Sequence, residues 1–289
     1  MPPILRLLRP HQYAKNLLVF AAPGAAGRLD EPNIVATALL AFVLFCTISS
    51  LGYVVNDIMD AEADRLHPVK KHRPIASGEV SVDQAMRLLV MLGVPAVWLS
   101  VVVGWDFAAM LVGYAAISLT YSTVLKRLPW IELLAVSAGF LVRAIAGGTA
   151  TDTPISGWFL VVVSAGALLV ITGKRLGELL TLGGRTPSRK VLTGYQLRHL
   201  RLVAAVASAL AVGGYAAWAA AEASNRAPDS DGSFLLRLTV APFTLAIWRY
   251  LFLSWRGAGE TPEALIVRDR IMLAAGAVWV IVYSIGLYL

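Results

Sequence analysis

Residues 34–64 read IVATALLAFVLFCTISSLGYVV and then, without a break, NDIMDAEAD. The first part, Ile34 to Val55, is 22 residues with no charge. At about 1.5 Å per residue it is long enough to cross the ~30 Å hydrocarbon core of a bilayer as one helix. The second part packs carboxylates directly against the end of that run. Working outward, the whole chain shares this apolar bias: of 289 residues, 57% are hydrophobic and only 15% charged. An ordinary soluble domain has roughly 45–50% apolar and 25% charged residues, so a soluble fold could not hide this much apolar side chain. The same numbers exclude disorder and a collagen-like repeat. A single cysteine, Cys46, excludes a disulfide scaffold. The sequence predicts an all-α integral membrane protein.

Runs of this kind predict nine spans: Leu17 to Gly27, Ile34 to Val55, Ala85 to Val103, Phe107 to Thr123, Pro129 to Gly148, Ile155 to Thr172, Leu202 to Ala221, Phe234 to Trp255 and Ile271 to Leu289. The first is the shortest and has a polar lead-in. Arg6, Arg9, His11 and Lys15 interrupt any apolar core at the start, so no cleavable leader is expected. The loops alternate in base content. Of 25 basic residues, 21 fall on one side, including Arg185 and Arg189; three (Arg28, Arg226 and Arg237) fall on the other, and Arg143 lies within a span. By the positive-inside rule the basic side, with the N-terminus, is cytoplasmic. Residues 1–289 therefore form a single polytopic membrane domain. The net charge of +7 follows this topology and lacks the aromatic interleaving that stacks bases, so no nucleic-acid partner is expected.

On a helix, Asn56, Asp57, Asp60 and Asp64 fall within about a 100° arc. Three carboxylates on one face repel unless something positive sits among them. Oxygen-only donors suit a hard cation such as Mg²⁺, which takes carboxylates together with substrate phosphate oxygens. The plainer reading is a solvated acidic helix end, which the cost of ionisable groups beside a membrane disfavours. Directly after comes the cationic loop His67-Pro68-Val69-Lys70-Lys71-His72-Arg73-Pro74. Acids that hold a metal, followed by bases that hold phosphate, describe a diphosphate site, with Arg73 offering a bidentate fork and Lys70 a point charge.

Other cytoplasmic ends supply similar groups. Tyr121 and Lys126 close the fourth span, and Lys174, Arg175 and Glu178 close the sixth, within GKRLGE at residues 173–178. Glu178 stands in i+3 and i+4 reach of both bases, so a self-contained salt bridge is the alternative there. Lys15 and Asn16 precede the first span. Arg143 lies among apolar residues, where a lone charge is costly; it either faces a polar cavity to receive an anion, pairs with Glu132, or snorkels to an interface. His11, His67, His72 and His199 show no metal-ligand spacing.

These residues carry a resemblance. Asn-Asp-x-x-Asp-x-x-x-Asp at Asn56 to Asp64, then Arg-Pro-x-x-x-Gly at Arg73 to Gly78, resembles the first signature of the UbiA superfamily of intramembrane prenyltransferases. The likeness covers essentially the whole chain and implies nine helices around a central cavity. Most members carry a second Asp-x-x-x-Asp after the sixth span; here GKRLGE stands instead, a position suited to an anion. That departure, with Arg-Pro-x-Gln-x-x-Lys-Asn at Arg9 to Asn16 and the stretch Pro262 to Arg270, is similar to the decaprenyl-phosphate phosphoribosyltransferase branch. The resemblance implies transfer of 5-phosphoribose from phosphoribosyl pyrophosphate (PRPP) to a polyprenyl phosphate such as decaprenyl phosphate, with Mg²⁺ as cofactor. It further implies a product that feeds cell-wall arabinan, a plasma-membrane location with the site facing the cytoplasm, and an oligomer, plausibly a trimer.

In that reading Asp57, Asp60 and Asp64, with Asn56, hold the metal, and Lys126 and Lys174 join them as catalytic groups. Lys15, Asn16, Asn56, Lys70, Arg73, Tyr121, Arg143, Arg175 and Glu178 contact substrate. Two other readings stand beside it. A prenyl group could move from its diphosphate to an aromatic acceptor, which the bases at Lys174 and Arg175 argue against. A transporter would place polar residues on several spans, whereas here they crowd one face. That face holds 11 of the 18 acids as well as most of the bases, more than topology alone requires.

Overall fold

The computed structural model describes residues 1–182, 190–225 and 230–288; Arg185, Arg189 and Arg226 lie outside these. Among the described residues the chain is helical throughout, with no strand. It divides into two compact units, residues 1–124 with 142–154, and residues 125–141 with 155–289.

The first unit opens with α1 (Pro3–Leu8), an 11-residue 3₁₀ stretch (Pro10–Phe20) and α2 (Ala21–Ala25). Then come α3 (Pro32–Met59), α4 (Ala61–Arg65), α5 (Val82–Val103) and α6 (Trp105–Thr123), and the last turns of α7 (Ile131–Ala150). Local chemistry sets these ends. Pro32 occupies the first turn of α3, where its missing N–H costs nothing. Ser81 and Gln84 form a reciprocal capping box on α5. Gly104, at φ 159°, lies between α5 and α6. Val19, Leu44, Phe45, Phe107, Leu111 and Tyr114 fill the core, with Phe45 and Phe107 edge to face at 6.0 Å. A smaller core of Leu7, Val54, Ile75 and Val80 anchors the loop that carries Arg73.

The second unit takes the first turns of α7, then α8 (Gly157–Leu182), α9 (Leu197–Asn225), α10 (Asp231–Leu238), α11 (Val240–Trp255), α12 (Pro262–Arg268) and α13 (Arg270–Tyr288). Its core joins Leu133, Leu169, Leu176, Leu200 and Tyr250. Glycine lets its backbones touch. A Cβ at Gly177 would lie 2.3 Å from the Glu260 nitrogen, and one at Gly259 would lie 2.3 Å from the Gly173 oxygen. The spacing of Gly173 and Gly177 puts both on one side of α8, which fixes the rotation of the bases between them.

Among the described residues seven helical runs, α10 and α11 counted as one (Asp231–Trp255), are long and apolar enough to cross a membrane, and they coincide with seven of the nine predicted spans. The other two differ for identifiable reasons. The segment at Leu17 to Gly27 is 3₁₀ and then a five-residue helix, and Val19 packs so closely on Gly147 that a Cβ there would lie 1.8 Å from the Val19 oxygen. Phe107 to Thr123 is the 19-residue α6, whose polar last turn dilutes its apolarity.

Candidate active site

The acidic stretch is broken where the sequence predicts one continuous face. α3 ends at Met59, Asp60 is a turn, and α4 begins at Ala61. The helix dipole gives a reason: carboxylates are unfavourable at the C-terminus of one helix and favourable in the first turn of the next, where Glu62 and Asp64 sit. Asn56 Nδ2 donates to Asp60 Oδ2 at 3.2 Å across this turn.

Asp57 and Asp64 are nevertheless brought together, both almost fully buried. Arg73 bridges them, its Nη1 donating to Asp64 Oδ2 at 2.7 Å and to Asp57 Oδ1 at 3.1 Å. Lys70 Nζ stands 3.8 Å from Asp64 Oδ1. The Arg-Pro-x-x-x-Gly segment works as a unit. Ile75 is buried, Gly78 takes φ 80°, and the Val80 N–H closes on the Pro74 carbonyl at 2.9 Å, so Arg73 is held over the acids. Sequence reasoning missed one member. Arg9 Nη2 donates to Asp57 Oδ1 at 2.6 Å, with its guanidinium 4.8 Å over the Tyr53 ring. The signal was available in the Arg9-Pro10 pair that opens the N-terminal segment.

The donor chemistry fits Mg²⁺. Asn56, Asp57, Asp60 and Asp64 offer only oxygen acceptors toward a metal, and Asp57 and Asp64 converge through one guanidinium. Among the described residues, no three carboxylate, imidazole or thiol groups form a ready-made cage. A metal that needs only one or two carboxylates plus phosphate oxygens does not require one.

A second cluster joins Asn16 and Arg143. Arg143 Nε donates to Asn16 Oδ1 and its Nη2 to the Tyr114 hydroxyl, both at 2.7 Å. Asn16 in turn donates to Ser49 Oγ at 3.1 Å and to Cys46 Sγ at 3.2 Å. Arg143 is buried, so it does not snorkel. Nor does it pair with Glu132: eleven residues along one helix separate them by about 16 Å. Lys15 donates to Gln12.

Glu132 belongs to a third cluster, in the second unit. Arg175 Nη2 donates to Glu132 Oε2 at 2.9 Å and its Nη1 pairs with Glu178, the i+3 bridge the sequence offered. The Tyr195 hydroxyl donates to Glu132 Oε1 at 2.9 Å, and burial pushes its pKa well above the usual phenol value. Trp130, at φ 67°, gives its N–H to the Tyr195 hydroxyl at 3.1 Å. Lys174 is half-buried on α8, Lys126 half-buried in the 3₁₀ turn Leu125–Arg127, and Tyr121 half-buried in the last turn of α6.

Among the described residues the chain is all-helical with seven candidate membrane spans, and carboxylates interleave with bases at the end of one of them, the frame of a membrane protein with an ionic site. The family model described as UbiA prenyltransferase family matches residues 17–174, and the chain belongs to that family as a multi-pass membrane protein. It is 37% identical to the decaprenyl-phosphate phosphoribosyltransferase of Mycolicibacterium smegmatis over 99% of this chain and 92% of that one. It is 36% identical to the enzyme of the same name from Corynebacterium glutamicum, over 99% and 87%. Among solved structures, a UbiA homologue from Archaeoglobus fulgidus bound to DMAPP and Mg²⁺ shares the fold at TM-score 0.70 and 17% identity, over 100% of this chain and 98% of that one.

Proposed function

We propose that this chain is a decaprenyl-phosphate phosphoribosyltransferase, moving 5-phosphoribose from PRPP to decaprenyl or another polyprenyl phosphate with release of diphosphate. The observation that carries the reading is near-full-length similarity, at 36–37% identity, to enzymes named for that activity. The local chemistry agrees with it. Asn56, Asp57, Asp60 and Asp64 would hold Mg²⁺, which supplies charge neutralisation to a leaving diphosphate. Arg73 and Lys70 stand beside them as hydrogen-bond donors to phosphate, and Lys126 and Lys174 are assigned to the same developing charge from their place in the sequence. Lys15, Asn16, Tyr121, Arg143, Arg175 and Glu178 complete the assigned substrate contacts, the last two through the ion pair they share.

The bond from ribose C1 to the diphosphate oxygen breaks through an oxocarbenium-like state, and a new bond forms from C1 to the lipid phosphate oxygen. The acceptor is already an anion, so no strong general base is needed. The same reading takes nine crossings around a central cavity, with the N-terminus cytoplasmic. At about 2.0 Å per 3₁₀ residue and 1.5 Å per α residue, Pro10 to Ala25 extends roughly 30 Å, and α6 about 28 Å, both near the bilayer core. Omitting either alone would put basic and base-poor loops on the same side. A plasma-membrane site open to the cytoplasm, a role in arabinan synthesis and a trimeric assembly belong to this proposal.

The test is to incubate purified protein with Mg²⁺, labelled PRPP and decaprenyl phosphate and to look for a labelled lipid. Product confirms the reading. Product only from a prenyl diphosphate and an aromatic acceptor overturns it.

A further inference from the structure

The buried acids are already met by bases. Asp57 and Asp64 face Arg9, Arg73 and Lys70, and the closest contacts are arginine to aspartate. Arg9 is the member whose placement takes most structure to achieve. Its backbone sits at φ 52°, ψ 59°, the left-handed region that a side chain with a Cβ rarely adopts. The chain on either side is pinned. Ser50 Oγ donates to the Leu8 carbonyl at 2.8 Å and lies 3.2 Å from the Tyr13 hydroxyl, and the Gln12 N–H returns to the Arg9 carbonyl at 2.9 Å. This turn delivers a guanidinium to Asp57 across the face of Tyr53, with about a fifth of the side chain still open to solvent. Strain of this kind persists where surrounding structure enforces it, and it gathers at ligand clamps.

A divalent cation alone would add positive charge where three bases already stand and would have to displace an arginine from Asp57. A metal–diphosphate complex brings negative charge for that arginine to receive. The fork geometry of guanidinium suits either partner. We propose that Arg9 is a further ligand of the donor diphosphate, held on Asp57 in the resting protein and transferred to the diphosphate when Asp57 turns to the metal. This deepens the reading of the acidic cluster as a diphosphate site and rests on it.

The exchange predicts effects of opposite sign. Purified full-length protein and Arg9→Gln are compared in two binding measurements: Mn²⁺ alone by electron paramagnetic resonance, and labelled inorganic pyrophosphate at saturating Mg²⁺. Arg9→Gln leaves Asp57 with Arg73 as its one remaining arginine partner of the two and removes a diphosphate ligand. It should bind Mn²⁺ several-fold more tightly and Mg²⁺–pyrophosphate about tenfold more weakly, a coupling within the range typical of linked sites. A purely structural Arg9 would leave both affinities unchanged or weaken both, and either result overturns the assignment. If Arg9→Gln does not fold, Arg9→Lys keeps the charge but loses the fork; it should shift both affinities in the same directions by less, and no shift overturns the proposal. If the wild-type protein fails to bind Mg²⁺–pyrophosphate, the diphosphate-site reading falls, and Arg9 with it. If the wild type binds and the variant matches it, only the role of Arg9 falls.

Discussion

Two of the three ion clusters use the same chemistry and differ in how they are closed. Around Asp57 and Asp64 the acids are buried, but the bases reach in from loops and keep 21% (Arg9) and 26% (Arg73) of their side chains exposed. Around Glu132 every member is sealed: Arg175 is 5% exposed, Glu132 1% and Glu178 6%. A half-open pair can trade partners with an incoming anion at modest cost. A sealed one cannot lose a partner without stranding a charge. On the proposed function the first exchanges ligands, while the second holds α7, α8 and the Tyr195 turn in place. The difference also bears on Arg175, whose guanidinium already serves two carboxylates.

The sharpest way to break the contrast is to cut each cluster once. Asp60→Ala should lower transfer of labelled phosphoribose to lipid by about 10²–10³-fold, the scale of losing a group that stabilises developing charge. Its melting temperature in detergent should barely move, because Asp60 is only half-buried. Glu132→Ala should do the reverse. It leaves Arg175 short of a buried partner, with an expected loss on the order of 3–5 kcal/mol of stability. Activity per folded molecule at low temperature should fall far less than in Asp60→Ala, because Arg175 keeps its pair with Glu178. If Glu132→Ala melts normally and is inactive, the sealed cluster is catalytic after all and the contrast fails.

Much of this was legible in the sequence, and what was not has physical causes. Apolar runs announce helices because each must satisfy its own backbone in lipid, and seven of the predicted spans lie in long apolar helices. The acids and Arg73 were legible because each sits within 16 residues of the partner it meets. Arg9 was not assigned, since it reaches Asp57 across 48 positions through a left-handed turn that no periodicity encodes. Likewise, Glu132 and Arg175 meet across 43 positions. In GKRLGE the bases are the conspicuous residues, but the glycines four apart carry the packing. Hence Gly177→Ala, with its Cβ 2.3 Å from a backbone nitrogen, should cost about 1–3 kcal/mol by overpacking, read as a lower melting temperature.

The smallest effect comes from the pair at the far open end of the scale. Arg6 Nη2 donates to Glu79 Oε1 at 2.6 Å, with both side chains about 40% exposed. The Arg6 hydrogen bond holds the Glu79 carboxyl below its ordinary value of 4.5. A carboxylate whose pKa is depressed on folding stabilises the fold above its unfolded value, and that contribution disappears as pH falls through the folded value. The pair should therefore help at pH 6 and contribute nothing once Glu79 is protonated. The melting temperatures of wild type and Glu79→Gln should differ slightly at pH 6 in low salt and converge as pH falls through the lowered Glu79 value. Raising salt at pH 6 should close the gap too, since exposed pairs are screened. The Glu132 cluster should ignore the same salt step. A salt response at Glu132 as large as the one at Glu79 would mean that the second cluster is open to solvent, and the division between exchanging and sealing ion pairs would lose its basis.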